Sequence, residues 1–287
     1  MPTYFQALVL GLLQGVSELF PVSSLGHSVI VPSLFGWQLD QASQDFLPFL
    51  VATHAATALA LVIFFRKDWG KILKGLWRSI TMGRLSRDPY ARVGWLLILG
   101  TIPAGLLGLL LEKRVELLFA SAQIAAAFLI LNGIILLFAD RLSRKVKHVT
   151  EAASAATVDT QIAKLTWKQS VGIGLVQSVA LIPGLSRSGS AMVGGLWAGL
   201  TAEEAARFSF LLATPIIGAA ALLKLPHLLK IPLSQSGPAW LGALMAGLAA
   251  WISVRFLIQY FQTKRLSPFG WYCIVAGALA SLILILR

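Results

Sequence analysis

Cysteine and charged residues are scarce in this chain of 287 residues, and their scarcity excludes several classes of protein. The one cysteine, Cys273, can neither form an internal disulfide nor build a thiolate metal site. Only 13% of the residues are charged, whereas 57% are hydrophobic and the mean hydropathy is +0.77. This balance leaves no soluble domain and predicts an all-α integral membrane protein with several spanning helices.

Acidic residues are also few, with 12 against 24 lysines and arginines and a net charge of +12 at pH 7. Such an excess would suit nucleic acid, but the basic residues are scattered among predicted membrane-edge loops, so we expect no nucleic-acid partner. The positive-inside rule predicts that the basic connections 66–92, 141–168 and 264–265 are cytoplasmic. Within the first, apolar residues at helical spacing predict a helix lying on anionic lipid. They are Trp69, Ile72, Leu73, Leu76, Trp77 and Ile80.

Long hydrophobic runs are abundant. Six stretches reach the roughly 20 residues needed to cross the hydrocarbon core. We place them near 46–65, 93–111, 118–139, 206–224, 238–260 and 268–286. If these spans alternate in direction, all the basic connections fall on one side and both ends of the chain lie on the other.

Two further apolar runs are interrupted by polar residues and proline. The first is QGVSELFPVSSLGH at 14–27, broken at Pro21, and the second is VQSVALIPGLSRSGS at 176–190, broken at Pro183. Because proline removes a helix donor and clashes with the preceding turn, each run predicts two half-helices in a re-entrant hairpin. Residues 7–27, which include the first run, align with 170–190 without a gap at a constant offset of 163 residues, as between Gln14 and Gln177. The chain therefore contains one polar element twice.

These elements predict two inverted-topology repeats, each made of one re-entrant helical hairpin and three transmembrane helices. We expect a single membrane domain over 1–287, with one repeat at about 1–140 and the other at about 165–287. A central proline shared by 99–111 and 211–223, at Pro103 and Pro215, supports the duplication. Broken helices that meet near the midplane occur in many transporters, so this architecture alone does not separate an enzyme from a carrier.

The two breaks carry residues suited to an anion. Helix starts inside the membrane present free N–H groups and a positive dipole end, and Arg187 adds a fork of donors for phosphate oxygens. Hydroxyls and a glycine surround these starts: Ser23, Ser24, Ser186, Ser188 and Gly189. Glu18 and His27 are then unexpected, because an anion pocket needs a carboxylate only to bind a metal, orient a base or accept a proton.

Each of these residues also has a structural interpretation. Ser23 and Ser24 would be explained by helix capping alone, and His27 by a hydrogen bond to a backbone carbonyl. Gly26 and Gly189 would permit close helix approach. His54, in the first full span, is as consistent with packing as with a place in the site.

The two motifs and FSFLLATP at 208–215 resemble the undecaprenyl-diphosphate phosphatases of the bacitracin-resistance type, over nearly the whole chain. The resemblance implies an enzyme of the bacterial inner membrane that opens to its outer face. Such an enzyme hydrolyses undecaprenyl diphosphate to undecaprenyl phosphate and inorganic phosphate, recycling the lipid carrier for cell-wall glycan synthesis. It also implies catalytic or phosphate-binding roles for Glu18, Ser24, His27, Ser186 and Arg187.

Gln14 departs from the family pattern, because many members carry Glu at this place. An amide can coordinate a hard cation or bind phosphate, but it supplies no charge and cannot act as a base. We expect a divalent cation, Mg²⁺ or Ca²⁺, as cofactor, with Glu18 as its ligand and Gln14 as a weaker one, and no organic cofactor.

The sequence leaves the nucleophile open between His27, Ser24 and an activated water. We expect Glu18, His27, Ser24 and Arg187 to be catalytic, and Gln14, Ser23 and the second break to bind the substrate. The partners expected are the polyprenyl diphosphate, membrane lipids and a second copy in a homodimer. A polyprenyl-phosphate flippase that uses the same pocket is the alternative.

Overall fold

Every regular element in the described part of the chain is helical. The computed structural model describes residues 2–39, 46–82, 88–118, 121–150, 161–229 and 233–287. The helices are α1 Tyr4–Ser17, α2 Ser24–Leu34, α3 Leu47–Phe64, α4 Arg66–Met82, α5 Pro89–Leu118, α6 Ala122–Thr150, α7 Trp167–Ser178, α8 Arg187–Trp197, α9 Ala202–Leu229, α10 Leu233–Thr263 and α11 Ser267–Leu286. A short 3₁₀ turn, Val179–Leu181, follows α7. The all-α prediction is confirmed.

Six of these helices are long and apolar enough to cross a membrane. Their spanning segments are Leu47–Phe64, Pro89–Leu111, Ala122–Arg141, Ala202–Leu223, Ser236–Thr263 and Ser267–Leu286. Each coincides with one predicted stretch to within a few residues, because an uninterrupted run of apolar residues is itself what makes a span. The chain is therefore a multi-pass membrane protein.

The two polar runs form broken pairs of short helices, as their prolines predict. The first pair is α1 and α2, and the second is α7 and α8. These four helices have 14, 11, 12 and 11 residues, too few at about 1.5 Å per residue to cross about 30 Å of hydrocarbon. The residues between the paired helices, 18–23 and 180–186, are buried or partly buried in the protein, whereas Val179 is exposed.

Glycines bring each broken pair close to a long helix. A side chain on Gly11 of α1 would overlap the carbonyl oxygen of Gly242 in α10. A side chain on Gly174 of α7 would overlap the carbonyl oxygen of Gly100 in α5. Such backbone contact is how helices associate in lipid, where no hydrophobic driving force exists between them.

The amphipathic helix α4 contains the residues of the first basic connection that were predicted to form a helix on lipid. Ile72 is buried against the protein, whereas Trp77 and Ile80 are 69% and 66% exposed. Asp68 pairs with Arg207 of α9 at 2.9 Å. One stripe of α4 thus packs on the bundle while the other remains free for lipid, so only part of its predicted apolar face is available to the membrane.

Candidate active site

A cavity of about 300 Å³ lies where the two broken pairs meet the spanning helices. Its polar residues are Glu18, Ser23, Ser24, His54, Gln177 and Arg187. The rest of the wall is apolar and comes mainly from α3, the 3₁₀ turn and α9: Leu25, Leu50, Val51, Ala104, Ala180, Leu181, Leu185, Ile216, Ile217, Ala220 and Ala221. A charged cluster beside an apolar wall suits a ligand with a polar head and a hydrocarbon tail.

Glu18 is the centre of the polar cluster. Its side chain is 5% exposed. Oε1 accepts a hydrogen bond from Nε of Arg187 at 3.0 Å. Oε2 accepts one from the Ser24 hydroxyl at 2.5 Å and one from the Gln14 amide at 3.1 Å. The carboxylate therefore has both oxygens engaged, and one of them is aligned with a serine hydroxyl.

Arg187 begins α8 and reaches across to the first broken pair. Besides its ion pair with Glu18, Nη2 donates to the Glu18 carbonyl at 3.4 Å and Nη1 donates to the Ser209 carbonyl at 3.5 Å. These last two distances are long for N–H···O hydrogen bonds. Both terminal nitrogens can therefore exchange weak carbonyl contacts for stronger ones to an anion.

Ser23 positions Ser24 through an unusual backbone conformation. It has a φ of 69°, and it is the one non-glycine residue of the described chain with a positive φ. Its hydroxyl caps α2 by accepting from the Gly26 amide at 3.1 Å. A residue held in this region stores strain of roughly 1–3 kcal/mol, which is found most often at functional sites. The turn directs the Ser24 hydroxyl at Glu18.

His27 faces away from this cluster. Nδ1 donates to the Ser23 carbonyl at 2.7 Å, so Nε2 accepts from the Tyr272 hydroxyl at 2.8 Å. Both ring nitrogens are engaged, and the described cavity wall does not include this side chain. The structure does not bring His27 together with Glu18, Ser24 and Arg187. Its catalytic role stays a prediction.

The remaining predicted residues lie behind the cavity wall. Gln14 is 5% exposed and contacts the cavity only through Glu18. In the second break, the Ser186 hydroxyl caps α8 by accepting from the Gly189 amide at 3.1 Å. The Ser188 hydroxyl donates to the Phe20 carbonyl at 3.0 Å. The bond from Ser188 to Phe20 joins the two breaks, and the contact of these groups with substrate stays a prediction.

Asn132 of α6 also joins the two breaks, and the sequence analysis missed it. Its amide nitrogen donates to the Pro21 carbonyl at 3.0 Å, and its oxygen accepts from the Ser186 amide at 3.0 Å. The sequence could have identified it as a lone asparagine in an apolar span, because a buried amide in a membrane needs hydrogen-bond partners.

His54 and Gln177 are two cavity residues to which the sequence assigned no role. In His54, Nδ1 donates to the Leu50 carbonyl at 2.8 Å, and Nε2 faces Oε2 of Glu18 at 3.6 Å. The ring nitrogen that does not bind the backbone is therefore next to the carboxylate. The sequence distinguished Gln177 only as the counterpart of Gln14 in the repeated element.

The cavity offers few protein ligands for a resident cation. Among the residues that the structure describes, no three His, Cys, Asp or Glu side chains come together. Glu18 is the cavity's one carboxylate, and it already accepts from a guanidinium, a hydroxyl and an amide. Mg²⁺ and Ca²⁺ require several oxygen ligands, so most would have to come from a bound phosphate compound or water.

Comparison with known proteins identifies similar sequences. The family described as bacitracin resistance protein BacA matches residues 7–279. The chain is 50% identical over 269 residues to undecaprenyl-diphosphatase 1 of Burkholderia pseudomallei, covering 93% of this chain and 92% of that protein. It is 44% identical over 301 aligned positions to undecaprenyl-diphosphatase of Mycolicibacterium paratuberculosis, covering 99% and 98%.

Proposed function

Because this chain belongs to the bacitracin resistance protein BacA family and is an undecaprenyl-diphosphatase, we propose that Ser24 is its nucleophile and Glu18 its base. The reaction converts undecaprenyl diphosphate to undecaprenyl phosphate and inorganic phosphate. The observation that carries the mechanism is the 2.5 Å hydrogen bond from the Ser24 hydroxyl to Glu18 inside the cavity. A nucleophile bound to its base in this way is the usual arrangement for covalent catalysis.

In the first step, Oγ of Ser24 forms a bond to the terminal phosphorus while the bond from that phosphorus to the bridging oxygen breaks. The hydroxyl proton passes to Glu18, and undecaprenyl phosphate leaves with the bridging electron pair. Glu18 then passes this proton to the departing undecaprenyl phosphate and is a carboxylate again. In the second step, water attacks the phosphoserine and gives one proton to Glu18 while the bond from phosphorus to Oγ of Ser24 breaks. Oγ takes that proton from Glu18, which restores the Ser24 hydroxyl, and inorganic phosphate leaves. Protons and charge therefore balance without an external reactant other than water.

Arg187 binds the phosphoryl group during both steps. Its two weak carbonyl contacts, at 3.4 and 3.5 Å, are the ones an incoming phosphate would replace. A guanidinium can grip two phosphate oxygens at once and stabilise the charge that spreads over them in the transition state. Nε keeps its contact with Glu18 while the two terminal nitrogens hold the phosphoryl group.

His54 is better placed than His27 to move protons in the cavity. Its Nε2 faces the same Glu18 oxygen that accepts the Ser24 hydroxyl. We assign His54 the exchange of a proton between Glu18 and the departing phosphate. His27 then acts through Ser23, whose carbonyl it binds, and keeps the Ser23–Ser24 turn in its strained conformation.

The other predicted binding residues support the site from behind. Gln14 orients the Glu18 carboxylate, and Ser186, Ser188 and Gly189 fix the start of α8 that carries Arg187. The apolar wall, which includes Leu50, Leu181 and Ile217, would contact the first isoprene units of the lipid. A divalent cation would enter bound to the diphosphate, and the proposed steps require none from the protein.

The two halves, about 1–140 and 165–287, form inverted repeats within one membrane domain. Gly11 in α1 of the first half contacts Gly242 in α10 of the second half, and Gly174 in α7 of the second half contacts Gly100 in α5 of the first. These reciprocal contacts support a two-fold exchange of the halves. Under this exchange, α5 corresponds to α10. Pro103 lies in the second span of its half and Pro215 in the first span of the other, so this shared proline does not support the exchange.

We place the protein in the bacterial inner membrane with its cavity open to the outer face, and we retain the homodimer as a prediction. The relatives named above are phosphatases, which leaves the flippase alternative without support.

Phosphate release by purified protein in detergent tests the function. We expect one inorganic phosphate and one undecaprenyl phosphate for each undecaprenyl diphosphate consumed, with and without chelator. Binding of the lipid without phosphate release would contradict the proposal.

A further inference from the structure

Gln177 is the buried polar side chain of the cavity that lacks a partner. Its side chain is 2% exposed, and within the described structure neither Nε2 nor Oε1 has a hydrogen-bond partner. It lies in α7 and lines the cavity together with Glu18, Ser24 and Arg187. Buried amides are nearly always hydrogen-bonded, so an amide with two unpartnered atoms on a cavity wall points to a polar group that binds in the cavity.

The duplicated element explains why Gln177 is unpartnered. In the first half, Gln14 donates to Glu18 one helical turn later. In the second half, the residue four positions after Gln177 is Leu181, which offers no acceptor. Two glutamines at equivalent places thus have different environments: Gln14 supports the carboxylate, whereas Gln177 faces the cavity with its amide free.

We propose that Gln177 binds the diphosphate head group of the substrate directly. This inference rests on the proposed function and adds a binding residue to the same cavity. An ionised phosphate oxygen only accepts hydrogen bonds, so the contact comes from Nε2. Oε1 accepts from a water that hydrates the head group. Gln177 of α7 thus supplies a neutral donor to the head group, and Arg187 of α8 supplies a charged one.

Replacing Gln177 by an apolar residue should affect the stability of the free protein and the binding of substrate in different ways. A methionine has nearly the same shape as glutamine and no strong hydrogen-bonding atoms. In the substrate-free protein, replacing an unpartnered buried amide by an apolar group is neutral or stabilising. With substrate, the same replacement removes a hydrogen bond to a charged group. A residue with a structural role would show the opposite pattern.

The test compares Gln177→Met and Gln177→Glu with the parent, and uses Ser178→Ala as the matched control. Ser178 is the neighbouring buried residue of α7, and its hydroxyl donates to the Gly174 carbonyl within the same helix. We expect Gln177→Met to melt at or above the parental temperature without substrate. Its KM for undecaprenyl diphosphate should rise roughly 10- to 100-fold, the loss expected for one hydrogen bond to a charged group. Gln177→Glu should bind more weakly still, because it places an anion beside phosphate, and Ser178→Ala should keep the parental KM.

A binding measurement separates this inference from the proposed reaction. In the Ser24→Ala background, undecaprenyl diphosphate should raise the melting temperature, and Gln177→Met should remove most of that increase. An unchanged KM and an unchanged ligand-induced shift in Gln177→Met would overturn the inference, as would a lower melting temperature without substrate. A parent that binds the lipid but releases no phosphate would instead contradict the proposed function, while the binding comparison would still decide the role of Gln177.

Discussion

Glu18 is the residue on which the first break, the second break and the first span converge. It accepts hydrogen bonds from Ser24 and Gln14 of its own broken pair and from Arg187 of the other, and His54 of α3 lies beside it. A buried charge at membrane depth is stable only with such partners. The same contacts that stabilise the carboxylate also connect the proposed nucleophile, the proposed phosphate-binding group and the proposed proton carrier.

Replacing Arg187 by lysine tests the phosphate-binding role. Lysine keeps the charge but loses the planar two-point contact, so we expect kcat/KM to fall by roughly 10²-fold or more with the fold intact. Phosphate release and melting temperature are the measurements. Arg207→Lys is the matched control, because Arg207 pairs with Asp68 away from the cavity. Near-parental activity in Arg187→Lys would show that Arg187 is not a phosphate clamp.

Replacing Gln14 by glutamate tests how the chain functions with an amide at this place. The amide donates to Glu18 at 3.1 Å, so the change removes a donor and places a second carboxylate against the first. We expect activity in chelator to fall roughly tenfold and to recover with Mg²⁺, since a cation relieves the repulsion between the two anions. A metal titration of phosphate release measures this. The change would have no such effect if Gln14 contacted phosphate alone.

The sequence predicted part of this residue-scale arrangement. The meeting of Glu18, Ser24 and Arg187 was predictable because the repeated polar element places all three beside proline breaks in apolar runs. The placement of His27 and His54 was not, because the direction of a side chain depends on which neighbours surround its helix. His27 lies four residues after Ser23 and turns back to its carbonyl, whereas His54 reaches Glu18 from a different helix.

At the scale of elements, the position of each break depends on the close approach of its first helix to a long one. Gly174→Val would force α7 away from the backbone of α5, which also carries Ala104 of the cavity wall. We expect a loss of stability of about 1–3 kcal/mol and reduced phosphate release. Unfolding in denaturant measures the first effect and the lipid assay the second.

The same helix offers a matched control for that substitution. An added side-chain carbon at Gly172 would meet no atom within 4 Å. Gly172→Ala should therefore keep activity and gain a few tenths to about 1 kcal/mol from helix propensity. Equal effects of the two substitutions would show that the contact between α7 and α5 is not what positions the second break.

At the scale of the whole molecule, the distribution of charge predicts the orientation in the membrane. A cysteine at Gln38, exposed just after α2, should react with an impermeant thiol reagent in intact cells, whereas one at Lys74 of α4 should be protected until the membrane is opened. The native Cys273 is buried and should give little background. Labelling of Lys74→Cys alone in intact cells would reverse the orientation and place the cavity on the other side.

The central claim is that the Ser24 hydroxyl attacks the terminal phosphorus of undecaprenyl diphosphate. The most direct measurement is phosphate release by the purified parent, Ser24→Ala and Ser28→Ala under identical conditions. Ser28 lies one turn further along α2 and donates to the Leu25 carbonyl, so its loss controls for the removal of a serine from this helix. We predict that Ser28→Ala keeps most of the parental rate and that Ser24→Ala loses at least about 10²-fold while still binding the lipid. Phosphate release by Ser24→Ala at the parental rate would contradict the account.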